Sequence, residues 1–164
     1  MTFANLPAFL GSALAERGYA APTPVQAAVL EMEAEGRDLL VSAQTGSGKT
    51  VAFGLAMAGQ LLDAEGRVPY AIAPRALVIA PTRELALQVS RELAWLYGKA
   101  GGRIATCVGG MNPSVERRAL QQGATIVVGT PGRLRDHLER GALDLSALAA
   151  VVHLQLWRCP VWRN

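Results

Sequence analysis

Cysteine is nearly absent from this 164-residue chain, which has only Cys107 and Cys159. Neither sits in a Cys-x-x-Cys pair and only two histidines exist, so a disulfide framework and a zinc pattern are both excluded. A reducing, cytoplasmic setting is the default expectation. Long hydrophobic runs are missing too. The longest uncharged stretch, residues 1–15, is broken by Pro7 and Gly11 and has no basic leader. It falls short of the ~18 apolar residues of a membrane span, so no membrane partner is expected. Lysine is scarce: of sixteen basic residues, fourteen are arginine and the others are Lys49 and Lys99. Repeats and low-complexity stretches are absent. Charge is modest, at 18% of residues against 51% hydrophobic, which excludes intrinsic disorder. The net charge of +3 permits a nucleic-acid partner without demanding one.

What is present is a globular alternation. A single domain of this length buries roughly 70% of its unfolded surface and needs no staple. Residues 38–43, 76–80, 104–108, 125–128 and 149–152 are apolar almost throughout, as parallel strands buried on both faces are. Helical patterns lie between them. Across residues 84–97, Leu85, Val89, Leu93 and Leu96 form one stripe, with Gly98 as a stop. Asn112-Pro113 opens a helix closed by Gly123, and Thr130-Pro131 opens another closed by Gly141. Leu6, Leu10 and Leu14 mark a short helix ending at Gly18, while Glu31, Glu33 and Glu35 read as a solvated face. The expected class is α/β, with a parallel sheet and right-handed crossovers.

The first strand is followed by Ala43-Gln44-Thr45-Gly46-Ser47-Gly48-Lys49-Thr50 and a helical run over residues 51–62. Strand, glycine-rich loop and helix in this order make a phosphate-binding loop. Gly46 and Gly48 let backbone N–H groups turn inward around an anion, and the helix N-terminus adds its partial charge. Lys49 reaches the outer phosphates and the Thr50 hydroxyl can ligate magnesium. Ala43 stands where the strict motif has glycine. A nucleoside triphosphate site is therefore expected, with GTP disfavoured because neither lysine follows an asparagine.

Several motifs in order resemble the DEAD-box ATP-dependent RNA helicases, specifically their N-terminal RecA-like domain. Residues 18–26, Gly-Tyr-Ala-Ala-Pro-Thr-Pro-Val-Gln, look like the adenine-reading Q motif, and residues 43–50 like the family's own phosphate loop. Pro81-Thr82-Arg83-Glu84-Leu85-Ala86, Gly109-Gly110 and Thr130-Pro131-Gly132-Arg133 look like its RNA-facing motifs. The resemblance implies a RecA-like P-loop domain with a mostly parallel central sheet flanked by helices. It implies ATP/ADP and Mg2+ as cofactors, held by Phe3, Gln26 and residues Ala43, Gln44, Thr45, Gly46, Ser47, Gly48, Lys49 and Thr50. RNA is implied along Thr82, Arg83, Gly110, Thr130, Gly132 and Arg133, read by its backbone rather than its base sequence.

The residues themselves leave alternatives open. Thr23-x-x-Gln26 is also a capping box, in which Gln26 reaches back to the Thr23 N–H. A glutamine amide equally suits the adenine edge. Phe3 is as fit for core packing as for stacking on adenine. Thr82 and Thr130 are good N-caps irrespective of RNA. Arg133 reads as a phosphate contact over a plain surface charge, Trp95 as packing, and His137 as solvent-facing or half-packed.

The resemblance stops after Val152. Where the family continues with Asp-Glu-Ala-Asp, this chain reads His153-Leu154-Gln155-Leu156 and ends in a Trp- and Cys-containing stretch with no acidic residue beyond Asp144. Residues 1–152 read as the RecA-like domain, with residues 1–36 its Q-motif region. Residues 153–164 read as an aberrant tail, frameshifted or spliced in, in which His153 with Cys159 is too sparse for a metal. The sheet is expected to be incomplete, because the family's Ser-Ala-Thr strand and second RecA-like domain are missing. The leading reading is an ATP- and RNA-binding helicase domain whose full protein unwinds RNA, itself inactive alone. The alternative is a non-catalytic nucleotide- or RNA-binding fragment. A DNA-translocating helicase ranks below both, because the Q motif argues against it.

Overall fold

Four short apolar segments satisfy their backbone groups by pairing with one another. The structure, a computed structural model, describes residues 3, 5–31, 38–42 and 46–155. Strands β1 (Ala76–Ile79), β2 (Ile104–Cys107), β3 (Ile126–Gly129) and β4 (Ala150–His153) form one all-parallel sheet in the order β2-β3-β1-β4. In register, Ala76 stands beside Ile126 on one side and Ala150 on the other. Parallel neighbours need long crossovers. The helices α5 (Arg83–Gly98), α6 (Pro113–Gln121) and α7 (Pro131–Glu139) supply them between successive strands.

The helix ends form where caps and stops were expected. Thr82 Oγ1 accepts from the Leu85 N–H at 3.3 Å at the start of α5, and Asn112 Oδ1 accepts from Ser114 N–H at 2.9 Å before α6. Gly123 and Gly141 follow α6 and α7 with φ of 85° and 69°, the left-handed conformation that glycine adopts without strain. At the front lie α1 (Ala8–Glu16) and α2 (Pro24–Glu31), then α3 (Lys49–Ala56) and the single turn α4 (Ala58–Leu61).

Alternation along the strands sorts the core into two layers. Ala76, Val78, Ile126 and Val128 pack with Leu10 and Leu14 of α1, Val51 and Leu55 of α3, and Val89 and Leu93 of α5. Leu77, Ala105, Cys107 and Val127 face the other way, onto Leu120 of α6 and Leu134 of α7. Each fully buried Leu or Val contributes roughly 1.5–3 kcal/mol, so both faces are strongly held. Trp95 packs against the first layer, its ring stacked 5.9 Å from Tyr19, in agreement with its packing role.

One expected strand does not form. Residues 38–42 carry no ladder hydrogen bonds, and Leu40 is 96% exposed. Residue 43 lies outside the described residues, as does the expected tail from 156 onward. A strand exists only through a neighbour's backbone groups. Here β4 pairs with β1 alone among the described residues. A cavity of about 310 Å³ separates the 38–41 segment from β4, with Phe53 and Met57 along its wall. The apolar pattern marked these residues for a sheet, but among the described residues no partner strand stands in that space.

Candidate functional site

The phosphate loop is set by its glycines. Gly46 and Gly48 have φ of 80° and 84°, and Gly48 is the N-cap of α3. A Cβ on Gly48 would meet the Gln26 amide nitrogen and stand 3.3 Å from Thr23 Oγ1. Only glycine fits there on both counts, conformation and space. Ser47 Oγ is buried without a hydrogen-bond partner among the described residues, and a Cβ on Gly46 would meet open space. A buried hydroxyl beside two left-handed glycines at a helix start fits an anionic ligand, so the residues present suit a phosphate group. Lys49 and Thr50 are the first two residues of α3, and Lys49 borders the cavity beside β4 with His153 and Leu154. Ala43, Gln44 and Thr45 lie outside the described residues.

The glutamine of the front segment is locked to this loop. Gln26 is fully buried; its Oε1 accepts from the Thr23 N–H at 3.0 Å and its Nε2 donates to the Gly48 carbonyl at 3.2 Å. Thr23 Oγ1 donates to the Ser47 carbonyl at 2.9 Å. Half of the capping box therefore forms, the Gln26 half, while the threonine hydroxyl turns to the loop instead. Phe3 packs against the first core layer and also borders a second cavity, of about 370 Å³, with Pro22 and Ala27. Both readings of Phe3 remain compatible with its position.

Three further motifs converge at the C-terminal ends of the strands, where open α/β sheets present their loops. Thr82 and Arg83 follow β1, Gly110 follows β2, and Thr130, Gly132 and Arg133 follow β3. Arg83 Nη1 donates to the Gly109 carbonyl at 2.9 Å, and Gly110, with φ of 80°, leaves room for that guanidinium. Arg133 Nη2 donates to the Met111 carbonyl at 3.2 Å. Two arginines thus grip one glycine turn from both sides. Thr130 stands at the N-cap of α7 but makes no side-chain capping bond, unlike Thr82. A Cβ on Gly132 would meet nothing within 4 Å, so that backbone is open to approach.

His137 departs from its expected solvent-facing or half-packed place. It is 1% exposed, and its Nε2 lies 2.6 Å from Oε2 of Glu116, itself 3% exposed. The reason is the buried face of α7, where Leu134 and His137 lie three residues apart, with a carboxylate on α6 to receive the ring. An ionised Glu116 can only accept, so Nε2 carries the proton in that state and Nδ1 is left buried without a partner. Glu116 Oε1 also accepts from the Val108 N–H at 2.9 Å. Sequence reasoning missed Glu116 altogether. Its spacing of four from the buried Leu120 was the available signal.

Cys107 Sγ completes a buried group with Glu116 and His137, all within 4.8 Å of one another. These are ligand types that zinc takes. Both Glu116 oxygens are already hydrogen-bonded, however, and the Arg133 guanidinium stands 3.7 Å from Oε2. The arrangement is a hydrogen-bonded cluster at the base of the glycine turn. Burial, and then the Glu116 charge, push the Cys107 thiol up to about 12.

Comparison with known proteins agrees with this layout. The profile of DEAD/DEAH box helicases matches residues 23–153. The ATP-dependent RNA helicase DeaD of Haemophilus influenzae is 45% identical over 150 residues, covering 90% of this chain and 23% of that protein. DeaD of Escherichia coli is 48% identical over 154 residues, covering 92% and 24%. This chain therefore spans about a quarter of the length of these relatives. Among solved structures, a DEAD box protein from Methanococcus jannaschii superposes with a TM-score of 0.80 at 33% identity, covering 93% of this chain and 41% of that one. A hypothetical ATP-dependent RNA helicase from Sulfolobus tokodaii gives 0.75 at 30% identity, covering 88% and 40%. A phosphate loop tied to a buried glutamine, a parallel sheet with its motif loops on one rim, and a profile match over most of its length place this chain in the DEAD/DEAH box helicase family.

Proposed function

We propose that this chain binds an adenine nucleotide at its phosphate loop and RNA backbone along the rim of its sheet. It would be the N-terminal RecA-like part of an ATP-dependent RNA helicase acting in the cytoplasm. The observation that carries the nucleotide reading is the loop itself: Gly46 and Gly48 left-handed, Ser47 Oγ unpaired among the described residues, and α3 beginning at Lys49. Backbone amides of residues 46–50 would hold the phosphates, with Lys49 on the outer ones and Thr50 as the magnesium ligand. Gln26 supports the loop through the Gly48 carbonyl and keeps one amide hydrogen for an adenine edge. Phe3 borders the cavity beside Pro22, where a base could lie. A magnesium-bound triphosphate would supply the phosphoryl group in the full helicase, and this chain's residues would bind and orient it.

RNA binding would run through Arg83, Gly110, Thr130, Gly132 and Arg133, with Thr82 fixing the start of α5. These groups address phosphates and sugars, so sequence should not matter. Few contacts are available on one domain, and the salt slope should be shallow, about −0.7 per phosphate for a single strand.

The alternative, a fragment that binds without catalysis, is favoured by one observation about this chain: residues 153–156 read His-Leu-Gln-Leu where the family resemblance leads to an acidic motif. The two readings agree on binding and part over turnover. Calorimetric titration with ADP and magnesium tests the shared part. Binding by the chain that Lys49→Ala abolishes supports the site, and equal binding by the variant refutes it.

A further inference from the structure

Glu116 is a buried carboxylate in contact with three residues at the rim, one just after β2 and two on α7. Its Oε1 accepts from the N–H of Val108, the residue just before the Gly109-Gly110 turn, at 2.9 Å. Its Oε2 meets His137 Nε2 at 2.6 Å and stands 3.7 Å from Arg133 Nε. Arg133 is only 14% exposed along its side chain, and its other end donates to the Met111 carbonyl beyond the same turn. One carboxylate therefore fixes both the entry to the glycine turn and the arginine that closes it from the far side. His137 holds the carboxylate in place from α7, the helix that also carries Arg133.

We propose that Glu116 is the positioning residue of the RNA-facing rim, orienting Arg133 and the 109–111 turn for contact with an RNA backbone without touching RNA itself. The proposal rests on the RNA reading given above. The charge is the operative feature. A buried carboxylate with two hydrogen bonds satisfied still attracts the adjacent guanidinium and keeps it against Met111 rather than extended into water. A glutamine at this position keeps an acceptor for the Val108 N–H and nearly the same volume, but loses its hold on Arg133.

The test is a double-mutant cycle on the full chain, reading the affinity of a fluorescent single-stranded oligouridylate at low and moderate salt. Arg133→Ala should weaken binding about tenfold and flatten the salt slope by about 0.7, one phosphate contact. Glu116→Gln should weaken it about three- to tenfold, less than outright loss of a charge-assisted contact, while still unfolding cooperatively in urea. In the double variant the loss should equal that of Arg133→Ala alone. If the glutamine variant does not unfold cooperatively, Glu116→Asp takes its place; it keeps the charge but withdraws it by one methylene, so a smaller loss is expected that again disappears in the Arg133→Ala background. Parental affinity in the Glu116 variant, or a loss that multiplies with that of Arg133→Ala, overturns the proposal while leaving the RNA reading intact. If the parent chain binds no RNA, or Arg133→Ala changes nothing, the RNA reading falls and this inference falls with it.

Discussion

The Gln26 side-chain nitrogen donates to the Gly48 carbonyl oxygen at 3.2 Å, joining the front segment to the phosphate loop across 22 residues. With its other end on the Thr23 N–H, the glutamine is a strut. It occupies the space a side chain at position 48 would need, so glutamine and glycine specify each other.

Gln26→Ala should therefore act on stability and nucleotide binding together. It strips a partner from the Thr23 N–H and the Gly48 carbonyl in a fully buried place, a cost of about 1–3 kcal/mol. Urea unfolding should show that loss, and ADP titration should show weaker binding by the folded variant. A variant as stable as the parent would mean the strut carries no strain-free load.

Gly110→Ala should impair the rim without disturbing the phosphate loop. Its φ of 80° costs a Cβ-bearing residue about 1–2 kcal/mol, and the new methyl would press on the Arg83 guanidinium. RNA affinity should fall for every sequence alike, while ADP affinity stays at the parental value. Fluorescence anisotropy on two unrelated oligonucleotides, with calorimetry for ADP, checks both halves.

The contact between α3 and α5 should be sensitive to single atoms. Tyr97 is buried and its hydroxyl donates to the Gly54 carbonyl at 2.6 Å, so Tyr97→Phe should cost about 1 kcal/mol. At Gly54 an added methyl would lie 2.8 Å from Leu96 Cδ2 and 3.2 Å from Leu93 Cδ2. Gly54→Ala should cost about 1–3 kcal/mol by overpacking, readable as a lower urea midpoint.

Cys107 should be inert in the folded chain. Its thiol is raised from 9.0 to about 12 by burial and by the Glu116 charge. A folded-state value above the unfolded one means the neutral thiol is favoured by folding. That contribution is complete below the unfolded value near 9 and is lost as pH climbs from there toward 12. Alkylation followed by peptide mass analysis at pH 8 should leave Cys107 unmodified in the native chain and modify it in urea.

Much of this was legible in the sequence, for reasons that explain the exceptions. Helices α5, α6 and α7 announce themselves through Thr82, Asn112-Pro113, Thr130-Pro131 and the glycines that stop them, all local signals. The phosphate loop is legible because Gly-Ser-Gly-Lys-Thr does its work through backbone conformation. Residues 38–42 were not, because a strand depends on a neighbour that the local pattern does not name. His137 was misplaced for a similar reason. Its partner Glu116 lies 21 residues away on another helix, and periodicity gives a face without giving what covers it.

The central proposal is that this chain carries groups that would hold a nucleotide and lacks, at residues 153–156, the carboxylates that would help to cleave it. The loop from Gly46 to Thr50 carries its two left-handed glycines, whereas His153-Leu154-Gln155-Leu156 offer no carboxylate to organise magnesium or position water. The decisive measurement is phosphate release by the chain at saturating ATP and magnesium, with and without RNA, beside Lys49→Ala. The account predicts identical background from both proteins. Robust turnover that disappears in Lys49→Ala would contradict it and assign the missing acid's role to another carboxylate, with Glu84 at the start of α5 the first to examine.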